Sequence, residues 1–431
     1  MATEYADTMQ ASRLTGSWKW LEPTVVGASC VGLFLLCGGF YFFPDYGGVA
    51  RVFYLLVLLP AVLASPFWLS RLSHPLHWAL YLLPLCYLAL STSWAVPTGA
   101  SDGRSIWYLC KPLLFLAALF LAINMVLPHC ARLPEALLQW LTLVALVTGV
   151  IALLQYLPPA ITTGKWPRMA GISLRGDINV TAALYGVNCL FCVWGLLHWR
   201  HGWRWPLVVS LLVSLAVALL SRSKVPLVCA LSACVWLLWA SLGRDSLRRL
   251  LPWILPPLLV LPLAYFIYFE RVPFLDRPEG YSLRLDLWSQ SLEQAAYRPW
   301  FGHGLGSALD FELRGKPFSS HAHNFVLDTL RYGGVVGASA LLLQLLSTAV
   351  IVRRLLRRSR DYIPIALWWL AGVLFLLTNG QQPLVKPHHI WFFYWLPLGL
   401  LLAGDLQDRT GSVRATGQES VSPPPGGTAG S

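Results

Sequence analysis

The chain is built from a succession of apolar runs joined by short polar connections, and that pattern restricts it to one kind of fold. Crossing a bilayer as an α-helix takes roughly 20 predominantly apolar residues. Runs of about that size lie at 24–43, 49–68, 76–94, 106–127, 136–157, 180–199, 206–221, 225–242, 251–269, 324–352, 363–378 and 390–404. Apolar side chains make up 56% of the chain and charged ones 12%, whereas a soluble domain carries about 25% charge. The expectation is an all-α polytopic membrane protein of about twelve transmembrane helices. The 206–221 run is short and ends in Ser221-Arg222-Ser223-Lys224. The first 19 residues are polar, and no small-residue cleavage site follows the first apolar run, so no cleavable signal peptide is expected.

Charge gives the orientation. Arginines gather in the even-numbered connections, at Arg200 and Arg204, at Arg244, Arg248 and Arg249, and from Arg353 to Arg360. By the positive-inside rule these loops are cytoplasmic, and both termini with them. The expected order is a cytoplasmic segment over 1–23, nine helices over 24–269, a large outer loop over 270–323, three helices over 324–404 and a disordered cytoplasmic tail over 405–431. The tail ends in SVSPPPGGTAGS, a composition without a core. Basic residues also collect on the other side, among them Arg168, Arg175, Arg222, Lys224, Arg284 and Arg331. That excess exceeds what orientation needs, and it points to an anionic ligand on the outer face. Short apolar runs flank Arg222, which holds it near the membrane surface.

The large loop carries two readable pieces. SLRLDLWSQSLEQAAY, 282–297, places Leu285, Trp288, Leu292 and Ala295 at helical spacing, and puts Arg284 and Trp288 on one face. RPWFGHGLGSALDF, 298–311, reads as a glycine-rich turn covering the membrane face. Its GHGLG lacks the phosphate-loop pattern. The loop then re-enters the membrane through SSHAHNFVLDTLRYGGVVG, which sets His321, His323 and Asn324 at the boundary and Gly334 and Gly337 within the helix. A titratable group there is costly unless it is solvated, paired or used, and histidine moves protons near neutral pH. His303, His388 and His389 have no comparable context. Asp45 stands alone in the first outer loop, and Asp310 and Glu312 form an isolated pair. A hard cation wants several oxygen ligands, so no metal site is expected. Arginine forks match phosphate oxygens instead. The nine cysteines lie in or beside the apolar runs and read as packing residues without disulfides.

Four segments together resemble the bacterial O-antigen ligase family, in the superfamily that also holds O-antigen polymerases and protein O-oligosaccharyltransferases. They are RMAGISLRGDINVTAALYG with Arg168, Gly171, Asn179 and Ala182; LLSRSK with Arg222; RLDLW with Arg284 and Trp288; and His323-Asn324 followed by Gly334-Val-Val-Gly337. The RGDI stretch departs from the family pattern and makes Arg175 a second candidate for the role of Arg168. The resemblance implies a GT-C-like inner-membrane enzyme with its site on the periplasmic face. The donor implied is a glycan on undecaprenyl pyrophosphate, and the acceptor is a hydroxyl of lipid A–core. His323 would be the general base, with Arg168, Arg222 and Arg284 on the pyrophosphate. His321, Asn324, Trp288 and Arg175 are secondary candidates. Transfer would be inverting and would need no metal, nucleotide or other cofactor. Membrane lipids are the expected surroundings, and no nucleic acid is an expected partner. A polymerase or a protein glycosyltransferase differs from this reading only in acceptor. A lipid-linked glycan transporter would place charges in several helices, and here they gather at one face.

Overall fold

A computed structural model describes residues 2–68, 75–95, 106–130, 132–199, 201–224, a few positions within 226–237, 278–313 and 316–419. Helix dominates it. The helices are α1 (Ala2–Phe42), α2 (Tyr46–Phe53), α3 (Leu59–Trp68), α4 (Pro75–Ser91), α5 (Ile106–Val126), α6 (Leu133–Thr163), α7 (Ile178–His198), α8 (Arg204–Leu220), α9 (Pro278–Tyr297), α10 (Phe325–Arg358), α11 (Ile363–Asn379) and α12 (Leu396–Glu419). One π-helical turn, Tyr54–Leu58, joins α2 to α3, and another, Trp391–Trp395, leads into α12. Among the described residues, six helices are long and apolar enough to cross a membrane: Leu21–Phe42, Tyr46–Pro66, Leu133–Thr163, Ile178–His198, Phe325–Arg358 and Arg360–Asn379. Cys110–Val126 and Arg204–Leu220 are shorter apolar helices. Expected span 225–242 lies largely, and 251–269 wholly, outside the described residues.

The core is a continuous apolar cluster in which Trp368, Trp391, Trp395 and Phe392 are fully buried. Between helices in lipid, close packing and a few polar contacts do the work that the hydrophobic effect does in water. Gly372 lets α11 meet the Phe393 backbone, where any Cβ would overlap it. Gln344 donates to the Tyr81 carbonyl (2.7 Å) and accepts from the Tyr394 hydroxyl (2.6 Å), linking α4, α10 and the turn before α12. Asn188 on α7 donates to Ser210 (3.1 Å) and Ser214 (2.9 Å) on α8. The eight described cysteines are all free.

The outer loop differs from expectation in its contacts. In α9 the buried positions are Leu287, Ser291 and Ala295, while Leu285 and Leu292 are more than half exposed. Of the stripe expected at 285, 288, 292 and 295, Ala295 is buried and Trp288 half-buried, while Leu285 and Leu292 turn outward and Leu287 and Ser291 take the inward face. The cause is a second, small core of Leu287, Phe311 and Ala322, against which Trp288 and Leu327 pack. Phe311 comes from a hairpin of β1 (Phe311–Leu313) and β2 (Lys316–Ser319). Gln290 fastens the hairpin by donating to the Glu312 carbonyl (2.9 Å) and accepting from its N–H (3.2 Å).

The glycine-rich turn is wedged into α10. Gly334 sits at φ 63°, ψ −166° and breaks the helix, a region of backbone space that is essentially glycine-only. The carbonyls freed at the break are taken up: Arg331 by the His303 N–H (3.0 Å), Tyr332 by Gly304 (2.9 Å) and Gly333 by the Tyr87 hydroxyl (2.8 Å). Val335 and Val336 donate outward, to Pro299 (2.7 Å) and Trp300 (3.1 Å). Gly302 and Gly334 interlock so closely that a Cβ on either would overlap the other's backbone. Gly334, placed within an apolar helix as the sequence expects, is thus a docking kink in it. Gly337 does pack closely, facing the Tyr87 ring on α4.

At the far end, Arg354 grips both carboxylate oxygens of the buried Asp405 (2.8 and 2.7 Å). That pair carries α12 past Gly404, and the helix runs on to Glu419, beyond position 405 where the disordered tail is expected to begin. Gly334→Ala is expected to lower the thermal unfolding temperature in detergent, at a cost of about 3 kcal/mol or more from backbone strain plus overlap. Gly337→Ala should cost less, because its nearest obstacle is the edge of the Tyr87 ring at 3.1 Å. Equal unfolding temperatures for the two variants would contradict the kink's role.

Candidate functional site

The histidines lie on a strap between β2 and α10 that is pinned at every step. Ser319 Oγ donates to the His321 carbonyl (2.9 Å) and accepts from its N–H (3.2 Å). The Ala322 N–H donates to Asp328 Oδ1 (3.1 Å). Asn324 caps α10, its side chain accepting from Val326 (3.0 Å) and Leu327 (3.1 Å). Between these pins His323 is held at φ 49°, a left-handed conformation that costs a non-glycine residue about 1–2 kcal/mol. Asn324 therefore serves as a helix cap, which accounts for its place in the motif.

One buried ion pair anchors the strap. Arg331 Nε lies 2.9 Å from Asp328 Oδ1, as a charge contact without hydrogen-bond alignment, and both side chains are buried. The other guanidinium nitrogens donate to Gln294 (3.0 Å), the Leu309 carbonyl (2.8 Å), the Ser320 carbonyl (2.6 Å) and the Tyr332 hydroxyl (3.0 Å). Its carbon lies 4.4 Å from the Phe311 ring centre. Asp328 Oδ2 meanwhile accepts from the Gln382 N–H (2.7 Å). Arg331, counted among the outer cations in the sequence, is thus a structural residue that ties α9, the hairpin and the strap to α10.

The His321 and His323 rings stand 4.2 Å apart. Burial lowers the His323 pKa to about 4, helped by His321 and by the Arg284 charge and opposed by Asp177. His321 is also lowered, by burial first, with Asp328 and Asp177 opposing and Arg331 adding to it. Both rings are therefore neutral near pH 7, able to accept a proton. Arg284 is half-buried on α9, close enough for its charge to act on His323.

A second group forms where α8 ends and α7 begins. Arg168 Nε donates to the Ser221 carbonyl (3.0 Å) and Nη2 to Asn179 Oδ1 (3.3 Å). Ser223 Oγ donates to the same Asn179 oxygen (2.8 Å). Arg222 follows at φ 51° and is exposed. Gly171 donates to Thr181 Oγ1 (3.1 Å), and a Cβ there would crowd that side chain. Arg168, Asn179 and Arg222 are thereby gathered at one helix start. Asp177, which caps α7 by accepting from Asn179 (3.0 Å) and Val180 (3.1 Å), links this group to the histidines through its charge. The Arg175 side chain lies outside the described residues. Trp288 packs mainly into the small core beneath the strap.

Sequence reasoning passed over His388 and His389. The Tyr46 hydroxyl is 2.8 Å from His389 Nδ1, and the Tyr46 ring centre is 4.3 Å from that of His388. His388 and His389 are 3.9 Å apart. Burial lowers both, His388 well below its usual value and His389 to about 3, and His321 adds to each shift. No spacing signal links positions 46, 321 and 388; the shared hold of Asp328 on Ala322 and Gln382 joins the last two segments, and the Tyr46–His389 bond brings in the first. Asp45 caps α2 through Gly48 (2.9 Å). The starts of α2, α7 and α10 thus share this neighbourhood, each with its partial positive charge. Among the described residues, no group of three or more His, Cys, Asp or Glu is arranged to hold a metal ion.

An O-antigen ligase family model matches residues 209–342, the stretch holding Arg222, Arg284, the strap and the α10 kink. An O-antigen ligase of Pseudomonas aeruginosa is 27% identical over 413 residues, covering 94% of this chain and 95% of that protein. Both comparisons find the chain similar to O-antigen ligases. That similarity agrees with the apolar, membrane-length helices described above.

The ion pair and the cap generate a stability prediction. Asp328→Asn leaves a buried guanidinium uncompensated and is expected to cost about 3–5 kcal/mol, read as a drop in thermal unfolding temperature. Asn324→Ala should cost about 1 kcal/mol, and Asn324→Asp almost nothing, because a carboxylate also caps. A large loss in Asn324→Asp would mean that the amide does more than cap.

Proposed function

We propose that this chain transfers an O-antigen glycan from undecaprenyl pyrophosphate to a sugar hydroxyl of lipid A–core, completing a lipopolysaccharide in the bacterial inner membrane. The single observation that carries the reading is the placing of His323: neutral, strained and fixed within reach of the Arg284 charge. Transfer of this kind needs a base for the acceptor hydroxyl and positive charge where the pyrophosphate departs. His323 takes the hydroxyl proton as the acceptor oxygen attacks the anomeric carbon. The bond from that carbon to the pyrophosphate oxygen breaks on the opposite side, which inverts the configuration. Arg284, with Arg168 and Arg222 across the α7 start, holds the pyrophosphate and stabilises the charge it gains, an effect often larger than base catalysis. Both substrates are lipids, so the site opens to bilayer and periplasm. Support for that face comes from direction: α7 and α10 start at the site and run to the ends that carry Arg204 and Arg353–Arg360.

A base with a pKa of about 4 is weak, and the donor itself corrects this. Bound pyrophosphate neutralises the arginines and adds negative charge, which raises the His323 pKa. The acid limb of kcat/KM reports the free enzyme and that of kcat the loaded one. The limb of kcat/KM is therefore expected below pH 6 and that of kcat at higher pH, with activity lost as His323 gains a proton. Coincident limbs in steady-state profiles would contradict this.

The direct test is transfer by purified protein from a lipid-linked glycan to lipid A–core, with excess chelator and no nucleotide. Wild type is expected to transfer, since energy is stored in the donor. His323→Ala should lose about 10²–10⁴-fold in kcat while still binding donor, and Arg284→Ala should lose both donor affinity and rate. Unchanged transfer by His323→Ala would overturn the mechanism. Lengthening of the donor glycan in place of core modification would move the chain to a sister activity.

A further inference from the structure

Among the described residues, no hydrogen-bonding group meets the buried Nδ1 of His388, whose ring is built into the site. Its ring meets those of Tyr46 and His389 at 4.3 and 3.9 Å. Those two are committed to each other through the 2.8 Å bond between the Tyr46 hydroxyl and His389 Nδ1. Either tautomer of His389 keeps both groups engaged at that contact. His388 Nδ1 is sealed from solvent and meets no hydrogen-bonding group among the described residues. A buried acceptor left unpaired is tolerated more easily than a buried N–H, so the proton belongs on Nε2. That leaves Nε2–H as a donor on a half-buried side chain. The segment bearing it is fixed to the histidine strap, because one carboxylate, Asp328, binds the N–H of both Ala322 (3.1 Å) and Gln382 (2.7 Å).

We propose that His388 is a substrate-binding residue of the transfer site, its Nε2–H donating to an oxygen of the sugar at the point of transfer. The inference rests on the glycosyl-transfer reading and names a residue for it. A neutral donor suits a sugar oxygen, since the arginines already serve the pyrophosphate. Tyr46 and His389 are positioning residues that hold the ring. Sugar oxygens are present in both donor glycan and acceptor core, and kinetics separates the two sources.

The experiment compares His388→Phe, which keeps a ring against Tyr46, with His388→Gln, which restores an N–H donor. KM is measured for the lipid-linked glycan at saturating lipid A–core, and for the core at saturating donor. His388→Phe is expected to raise one of the two KM values about tenfold, the size of one neutral hydrogen bond, with kcat within about threefold and the pH profile unmoved. The KM that rises identifies the glycan held, and His388→Gln recovers most of it. Binding of each lipid to His323→Ala protein, with and without His388→Phe, reads the same contact with chemistry switched off. Weakening there supports the inference even if His323 proves not to be the base. Unchanged KM and binding for both glycans would overturn it. So would a His388→Gln protein as impaired as His388→Phe, since that marks a packing role.

Discussion

A single buried carboxylate holds the segments around the histidine strap together. Asp328 faces Arg331 and also receives the N–H groups of Ala322 and Gln382. Burying two charges costs several kcal/mol per ion unless the pair is close and its remaining hydrogen-bonding capacity is filled. Here it is filled from four directions, with Arg331 donating to α9, the Leu309 turn, the strap and Tyr332. The histidine strap hangs from this knot, as do the hairpin above it and the segment leading to His388. Geometry that fine seldom survives on a free loop, and a loop clipped to a helix at several points can hold a base to the tolerance that transfer chemistry requires.

Strain marks the same region. Among the described residues, three non-glycine residues adopt left-handed backbone: Leu174, Arg222 and His323. All three lie at the helix ends and turns around the candidate site, and the latter two are residues to which transfer roles are assigned. Such conformations persist where the surroundings over-determine them. Around them the starts of α2, α7 and α10 bring partial positive charge, adding to the arginines. The region therefore favours a polyanion before any single contact is counted. Each helix start is capped by its own Asp or Asn side chain.

Much of this was legible in the sequence, because apolar run length and charge bias are local properties. Every expected span except 225–242 and 251–269 falls on a described helix. His323 and Arg222 stood out by their places at expected membrane boundaries, and Arg284 by its helical face in the large loop. What stayed hidden was pairing over distance. Arg331 reads as one more outer cation until Asp328 is seen three residues earlier on the same buried face. His388 and His389 have no functional context in the sequence, since nothing in their neighbours points to Tyr46, some 340 positions away. The inward face of α9 was misjudged because leucines at 285 and 292 look like core, while Ser291 at 0% exposure does not. Gly334 reads as a packing glycine because a helix break filled by a distant turn leaves no local trace.

The proposed mechanism turns on direct attack by the acceptor, aided by His323, on a donor held by arginines. The anomeric configuration of the newly formed glycosidic bond tests this most directly, read by NMR on product made by the purified protein from a donor of known configuration. Inversion is predicted, because one displacement occurs and no covalent glycosyl intermediate forms. Retention would require two displacements and an enzyme nucleophile, and would contradict the roles assigned to His323 and the arginines.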